Sequence, residues 1–486
     1  MLFNSHIFML LFLPLLLAGW YFLNWKKKFQ LAQGYLIGMS LWFYAYANLQ
    51  YLWLLLFSCL IGWLLSCLPE KISSEKGKKV LTGVGCVFHL GLLGYFKYSN
   101  FFLENLNTVF HTDFPMLQIL LPVGISFYTF QQLAYLIDRC RGDAPRDSFF
   151  DYLTFMVYFP QLLQGPILLR SEFMGQLKEP ERRRFHAERF SEGIQFFVFG
   201  LAKKVLLADT LAKAVNYGYS NVSMLDSISA LLLAAGYLTE LYFDFSGYCD
   251  MAVGLGKMIG LEVAENFDAP FHSASVKEFW RRWHMTLGRF FTRYVYIPLG
   301  GNRKGKMRTL CNVMIVMLLS GLWHGAAWTF VLWGFLHGVG MIWDNLEHPH
   351  LPKKWMRQAA TFAYVCMTFV FFRAESIAQG FDVLKRIVSL KWNGFVFQMA
   401  SALDLTEFYM ITKALSMKLP GLLSWFWLGI FVVLIAICVR VLSGEKVSGV
   451  VALQKQKGYG RLYPVLLAVL FTWSMISMTG VSEYLY

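Results

Sequence analysis

Two histidines, each preceded by a tryptophan and lying 40 residues apart, are the side chains of this sequence best suited to acid–base chemistry: Trp283-His284 and Trp323-His324. His324 sits in Ser320-Gly321-Leu322-Trp323-His324-Gly325-Ala326-Ala327-Trp328, inside a run from Thr309 to Trp343 without Asp, Glu, Lys or Arg. That run holds 35 residues, and about 20 suffice to cross a bilayer core. An ionisable group at such a depth is costly unless it faces a cavity or a partner, so a functional role is the default expectation. A neutral imidazole there can accept a proton as a general base. The alternative is a structural histidine bonded between helices. Ser320 lies one helical turn earlier, within reach of an orienting hydrogen bond. Gly321 and Gly325 either allow close helix approach or open space beside the ring. A bis-histidine haem is a competing use of the pair, but no other feature points to a haem pocket. His337 falls about 220° around the helix from His324 and reads as packing or interhelix bonding.

The elements that position these residues follow from periodicity. Residues 275–294 align Val276, Phe279, Trp280, Trp283, Leu287, Phe290 and Tyr294 in one stripe, with Lys277, Arg281, Arg282, Arg289 and Arg293 opposite. This pattern predicts one amphipathic helix at the membrane interface. On it His284 falls about 80° from the stripe centre, on the border of the two faces. Tyr296-Ile297-Pro298-Leu299-Gly300-Gly301-Asn302-Arg303-Lys304-Gly305-Lys306 reads as a turn followed by positive charge, with Asn302 a candidate orienting residue. It lacks the phosphate-loop pattern, which excludes an NTPase on this feature. Asp244 and Asp250 are acidic residues in an apolar neighbourhood, able to pair with the basic helix or to form structural ion pairs. Ser246 has no G-x-S-x-G context and is not a nucleophile candidate.

Composition sets the class. The chain has 486 residues, 57% hydrophobic and only 15% charged, with a mean hydropathy of +0.47, far from soluble averages. We expect an all-α polytopic membrane protein of about 11–13 helices, some incomplete. Apolar spans are read at 2–23, 31–47, 49–68, 80–97, 115–137, 149–169, 191–208, 228–245, 309–343, 359–372, 423–442 and 462–481. The first resembles a retained anchor more than a cleaved signal peptide. The net charge of +14 arises from short clusters between spans: Lys71 to Lys79, Arg139 to Arg146, Arg182 to Arg189, Arg303 to Arg308 and Lys353 to Arg357. These mark cytoplasmic loops or contacts with anionic membrane lipids, not a nucleic-acid surface. Eight cysteines, mostly within apolar runs and without C-x-x-C spacing, suggest neither disulfides nor a bound metal. No loop has room for a separate soluble catalytic domain, so chemistry belongs to the membrane-embedded body. The whole of 1–486 reads as one domain with N-terminal helices at 1–140, a catalytic core at 141–350 and closing helices at 351–486.

Several motifs in order carry a family likeness: Tyr242 to Met251, Glu265-Asn266-Phe267, Phe279-Trp280-Arg281-Arg282-Trp283-His284, Tyr296 to Arg303, Leu322 to Trp328, and Trp333 to Gly338. With Phe159-Pro160-Gln161, Gly165-Pro166-Ile167 and Phe371-Phe372-Arg373-Ala374-Glu375 they resemble the membrane-bound O-acyltransferase (MBOAT) family over residues 120 to 376. Within it they look most like the bacterial alginate and peptidoglycan O-acetyltransferase membrane subunits. The resemblance implies a ring of transmembrane and re-entrant helices around a central tunnel. It makes His324 the catalytic histidine and His284 the second active-site position, which many branches fill with Asn. Trp283, Trp323, Ser320, Asp244 and Asn302 are then tunnel or orienting candidates. It further implies acetyl-CoA as donor with no bound cofactor, a periplasmic serine-hydrolase-like O-acetyltransferase partner, a cell-surface glycan acceptor and the bacterial inner membrane. A lipid or teichoic-acid acyltransferase, or a transporter or channel without covalent chemistry, are the alternative functions. The ending Tyr484-Leu485-Tyr486 departs from the short aromatic motif that ends many relatives, which puts a relay role for Tyr486 in doubt.

Overall fold

The computed structural model describes residues 1–47, 49–346, 351–458, 460 and 462–478, and among them it contains helices and connecting loops but no strand. Tyr486, and the loop around Pro349, lie outside the described residues. Six helical stretches among those described are long and apolar enough to cross a membrane: Phe8–Trp25, Leu49–Lys71, Glu75–Phe110, Ser227–Ile259, Lys306–His324 and Pro420–Leu442. Their outward faces are rich in exposed large apolar residues such as Trp53, Val433 and Ile437. That is the pattern of a multi-pass membrane protein, whose spans satisfy their own backbone in lipid and leave apolar side chains to the acyl phase.

Not every apolar stretch forms a continuous span. Residues 149–169 fold as Phe149–Val157 and Phe159–Leu162 followed by non-helical chain at residues 165–169, with Pro160 within the first turn of the second piece. The stretch 115–137 starts without helix and becomes Ile125–Arg141 only after Gly124, which adopts φ +76°. The run 309–343 is two helices, Lys306–His324 and Trp328–Asn345.

The chain clusters into two compact units, each assembled from separate segments: Met1–Val198, Tyr248–Glu265 and Thr286–Pro298 form one, and Phe199–Gly247, Asn266–Met285 and Leu299–Tyr486 the other. The three consecutive zones read from sequence do not coincide with them. In the first unit, buried polar groups bond to one another: Tyr152 donates to Gln132 Oε1 (2.7 Å), Gln132 donates to Ser58 Oγ (2.7 Å), and His89 Nδ1 lies 3.3 Å from Ser58 Oγ. Some basic residues read as loop charge are internal fasteners there. Arg139 is buried and donates to Ala144 O (2.8 Å), Ser66 O (3.2 Å) and Glu70 (2.7 Å).

The second unit carries both histidines. Ser275 caps the helix Val276–Arg282 by accepting from Glu278 N (3.1 Å), while Glu278 Oε2 accepts from Ala274 N (2.8 Å). The Ser275 cap satisfies a donor that the helix start leaves free, and the Glu278 carboxylate ties down the chain one residue before that cap. That helix stops at Arg282. The expected continuous amphipathic helix over 275–294 is therefore corrected to two pieces, Val276–Arg282 and Met285–Phe291, with Trp283 extended and His284 at φ +45°. A non-glycine residue in the left-handed region is uncommon and costs about 1–3 kcal/mol unless its surroundings enforce it. Two backbone bonds hold the break from either side: Asp268 N to Arg282 O and Met285 N to Asn266 O, both 2.9 Å.

Candidate active site

His324 is the last residue of Lys306–His324, and Gly325 to Ala327 form an elbow before Trp328–Asn345 begins. The two helices meet closely at Gly321 and Gly334. A Cβ on Gly321 would stand 2.3 Å from Phe330 O, and one on Gly334 2.4 Å from Met317 O. A Cβ on Gly325 would strike the Phe330 ring at 2.1 Å. The small residues around His324 thus serve helix contact, and the alternative that they open space for a substrate is not what the packing uses them for.

The His324 ring is half-buried and ringed by aromatics, with centroids at 4.9 Å to Trp323, 5.2 Å to Trp333 and 5.1 Å to Phe372, all edge-on. His284 is 1% exposed and lies 4.7 Å from the Phe245 ring and 6.0 Å from Trp323. Trp323 therefore touches both imidazoles. One indole joins two helix ends that the sequence places 40 residues apart, so the two Trp-His pairs form a single aromatic chamber. His284 Nδ1 lies 3.4 Å from Asn266 Oδ1, and its Nε2 has no hydrogen-bond partner among the described residues. Burial pushes the His284 imidazole down to about 3, so it is neutral near physiological pH.

His337 contrasts with both. Trp280 donates to its Nδ1 (3.2 Å) and Thr368 Oγ1 lies 2.9 Å from its Nε2. Thr368 gives its own proton to Val365 O (2.8 Å), so the Thr368 oxygen accepts and His337 carries its proton on Nε2. With both nitrogens engaged, His337 ties three helices together, as its sequence position suggested.

The remaining candidates divide. Ser320 is buried one turn before His324 on the same helix. Trp283 is 1% exposed and enclosed by Phe279, Phe267 and Phe369 at 5.3, 5.1 and 5.5 Å, so it anchors the backbone break by packing. Asp244 pairs with Lys204 (2.6 Å), which also holds Asp209 (2.8 Å). Of the two readings open for Asp244, the structural ion pair is the one found, because Lys204 and not the basic helix is buried beside it on a neighbouring helical segment. Asp250 is half-buried. Asn302 is exposed in its turn, where Gly301 O, not Asn302, is the group held inward, by Asn312 (2.9 Å). A separate cavity of about 1580 Å³ in the same unit is lined by Lys203, Asp209, Phe243, Arg440 and Trp473 and includes neither histidine. Asn266, Phe245, Trp333 and Phe372 complete the chamber without having been assigned roles from sequence. Asn266 carried a signal, since it lies in one of the family-like motifs.

Chemically, a half-buried imidazole beside a fully buried one, walled by indole and phenyl rings, can move a proton in a region of restricted water access. Comparison with known proteins bears on which reaction this serves. Residues 145–379 match the family model described as MBOAT, membrane-bound O-acyltransferase family. The chain is 35% identical over 423 residues to the peptidoglycan O-acetyltransferase of Helicobacter pylori, covering 80% of each protein. It is 39% identical over 392 residues to a Pseudomonas putida protein named "Probable alginate O-acetylase AlgI", covering 78% of each. It is also 28% identical over 253 residues to a teichoic acid D-alanyltransferase of Streptococcus thermophilus, covering 49% of this chain and 58% of that one. With a paired-histidine chamber in an all-helical membrane body, and relatives of this identity along four-fifths of its length, the chain belongs to the membrane-bound O-acyltransferase family.

Proposed function

We propose that this protein is an O-acetyltransferase that takes an acetyl group from a cytoplasmic thioester, acetyl-CoA, and passes it across a bacterial inner membrane for O-acetylation of a cell-surface glycan of the alginate or peptidoglycan class. The observation that carries this reading is the sharing of Trp323 by His284 and His324 in a chain 35–39% identical to proteins named for those reactions. His324 acts as general base. It takes the proton of a hydroxyl as that oxygen attacks the acetyl carbonyl; the C–S bond breaks, and the proton passes on to the departing thiolate. His284 positions a reactant beside it by hydrogen bonding, a task that Asn can also perform. Final delivery to polymer falls to a periplasmic serine-hydrolase-like O-acetyltransferase, the partner that the family likeness implies.

Membranes containing the protein, incubated with radiolabelled acetyl-CoA and the glycan-side partner, test the reading. Wild type releases CoA and labels the glycan, while His324→Ala folds and loses about 10²–10⁴-fold of the rate, the usual contribution of a positioned base. Normal glycan acetylation by His324→Ala refutes the base assignment. Solute flux without thioester consumption supports a transporter, and label appearing in lipid supports a lipid acyltransferase.

A further inference from the structure

Asn266 grips the turn at His284 twice. Its carbonyl accepts from Met285 N at 2.9 Å, and its side-chain Oδ1 lies 3.4 Å from His284 Nδ1. An amide oxygen only accepts hydrogen bonds, so the proton of that contact belongs to Nδ1. A neutral imidazole has one ring proton, which leaves Nε2 as a lone pair. That lone pair is buried and has no hydrogen-bond partner among the described residues. The backbone at φ +45° adds a second sign that the ring's placement is imposed by its surroundings, because this residue gives up an ordinary helical conformation to hold it. His337, by the bonds described above, holds the opposite tautomer, so a shared packing environment does not dictate the choice.

We propose that Asn266 is a positioning residue that fixes His284 in its Nδ1–H tautomer, so that the group His284 receives at Nε2 is a hydrogen-bond donor of the acyl acceptor other than the hydroxyl that is acylated. This rests on the proposed O-acetyl transfer and narrows it: His284 does not polarise the acyl carbonyl, since an imidazole nitrogen without a proton has nothing to donate to it. The attacking hydroxyl has one proton, which goes to His324, so the His284 lone pair holds a second donor of the same acceptor, such as a neighbouring hydroxyl. Asn at position 284 can present an amide oxygen in the same sense, whereas a residue with only donors cannot.

The test is the tautomer itself. Full-length protein with ¹⁵N-labelled histidine is placed in lipid nanodiscs, and the His284 signals are identified by their loss in His284→Asn. Wild type, His324→Ala and Asn266→Asp are expected to show a protonated Nδ1 and a bare Nε2, because a carboxylate at 266 still accepts from Nδ1. Asn266→Leu is expected to move the proton to Nε2 and to slow acyl transfer by about 10- to 100-fold, the scale of one buried hydrogen bond, with Asn266→Asp retaining most of the rate. A protonated Nε2 in wild type overturns the inference, as does an Asn266→Leu protein whose His284 stays protonated on Nδ1. Should Asn266→Leu fail to fold, wild type and Asn266→Asp decide. The tautomer is read without turnover, so failure of the acetyltransferase reading shows in the transfer assay alone.

Discussion

At His284 a buried ring and a left-handed backbone must be satisfied together, and few side chains manage both. Asn tolerates positive φ better than most residues and carries an oxygen to offer; Val does neither. His284→Asn is therefore expected to keep near wild-type stability and part of its transfer rate, whereas His284→Val, of similar bulk, loses about 2 kcal/mol, measured by thermal unfolding in detergent. Because the folded-state value of His284 is lowered to about 3, below its unfolded one, the unfolded chain binds the extra proton in between. Its stabilising contribution is complete above the ordinary histidine value of about 6.5 and is lost as pH falls toward 3. Over about pH 5–8 it does not titrate, so His284→Asn should leave the shape of the pH–rate profile unchanged there. His284 and His324 stood out by residue type and apolar context, and the structure brings both against Trp323. Asn266 was marked only by the family-like motif Glu265-Asn266-Phe267, and nothing local there indicates that the chain returns to it at His284, eighteen positions later.

Helix interruptions explain most of what periodicity missed. Leu287 and Phe290 continue the apolar stripe of Val276 to Trp283, so a count of positions runs through the break that tertiary hydrogen bonds impose at His284. The helix start is fixed locally instead, by the Ser275 side chain accepting from Glu278 N. The elbow at 325–327 was concealed by the same lack of charge that made His324 conspicuous; Gly325-Ala326-Ala327 was its only trace. Contact between the two helices predicts a graded response. Gly321→Ala pushes a methyl against the Phe330 carbonyl and should cost about 1–3 kcal/mol. Gly338→Ala meets the flexible Met314 sulfur at 2.7 Å, which can swing away, and should cost much less. Midpoints of thermal unfolding for the two variants check the order.

Across the molecule, composition disclosed a multi-pass membrane protein at once, while the partition into two units built from interleaved segments was beyond it, since that depends on contacts distant in sequence. Several charges removed from solvent are matched by a counter-charge. Asp147 accepts from Arg170 Nε (2.7 Å) in one unit, and Lys204 binds Asp244 and Asp209 in the other. Removing one member of such a set leaves its counter-charge stranded, at about 3–5 kcal/mol. Lys204→Met should accordingly reduce the yield and thermal stability of folded protein, and adding Asp244→Asn should restore part of both.

The rod that ends at His324 starts at Lys306 and contains 19 residues. At about 1.5 Å per residue it climbs roughly 28 Å, nearly the depth of the oily layer, about 30 Å. Its His324 tip and its cationic foot thus stand roughly 28 Å apart along the axis. In the proposed reaction, a donor whose anionic head rests on the Arg303–Lys306 side must be threadlike, delivering its acetyl group that far from where it is anchored.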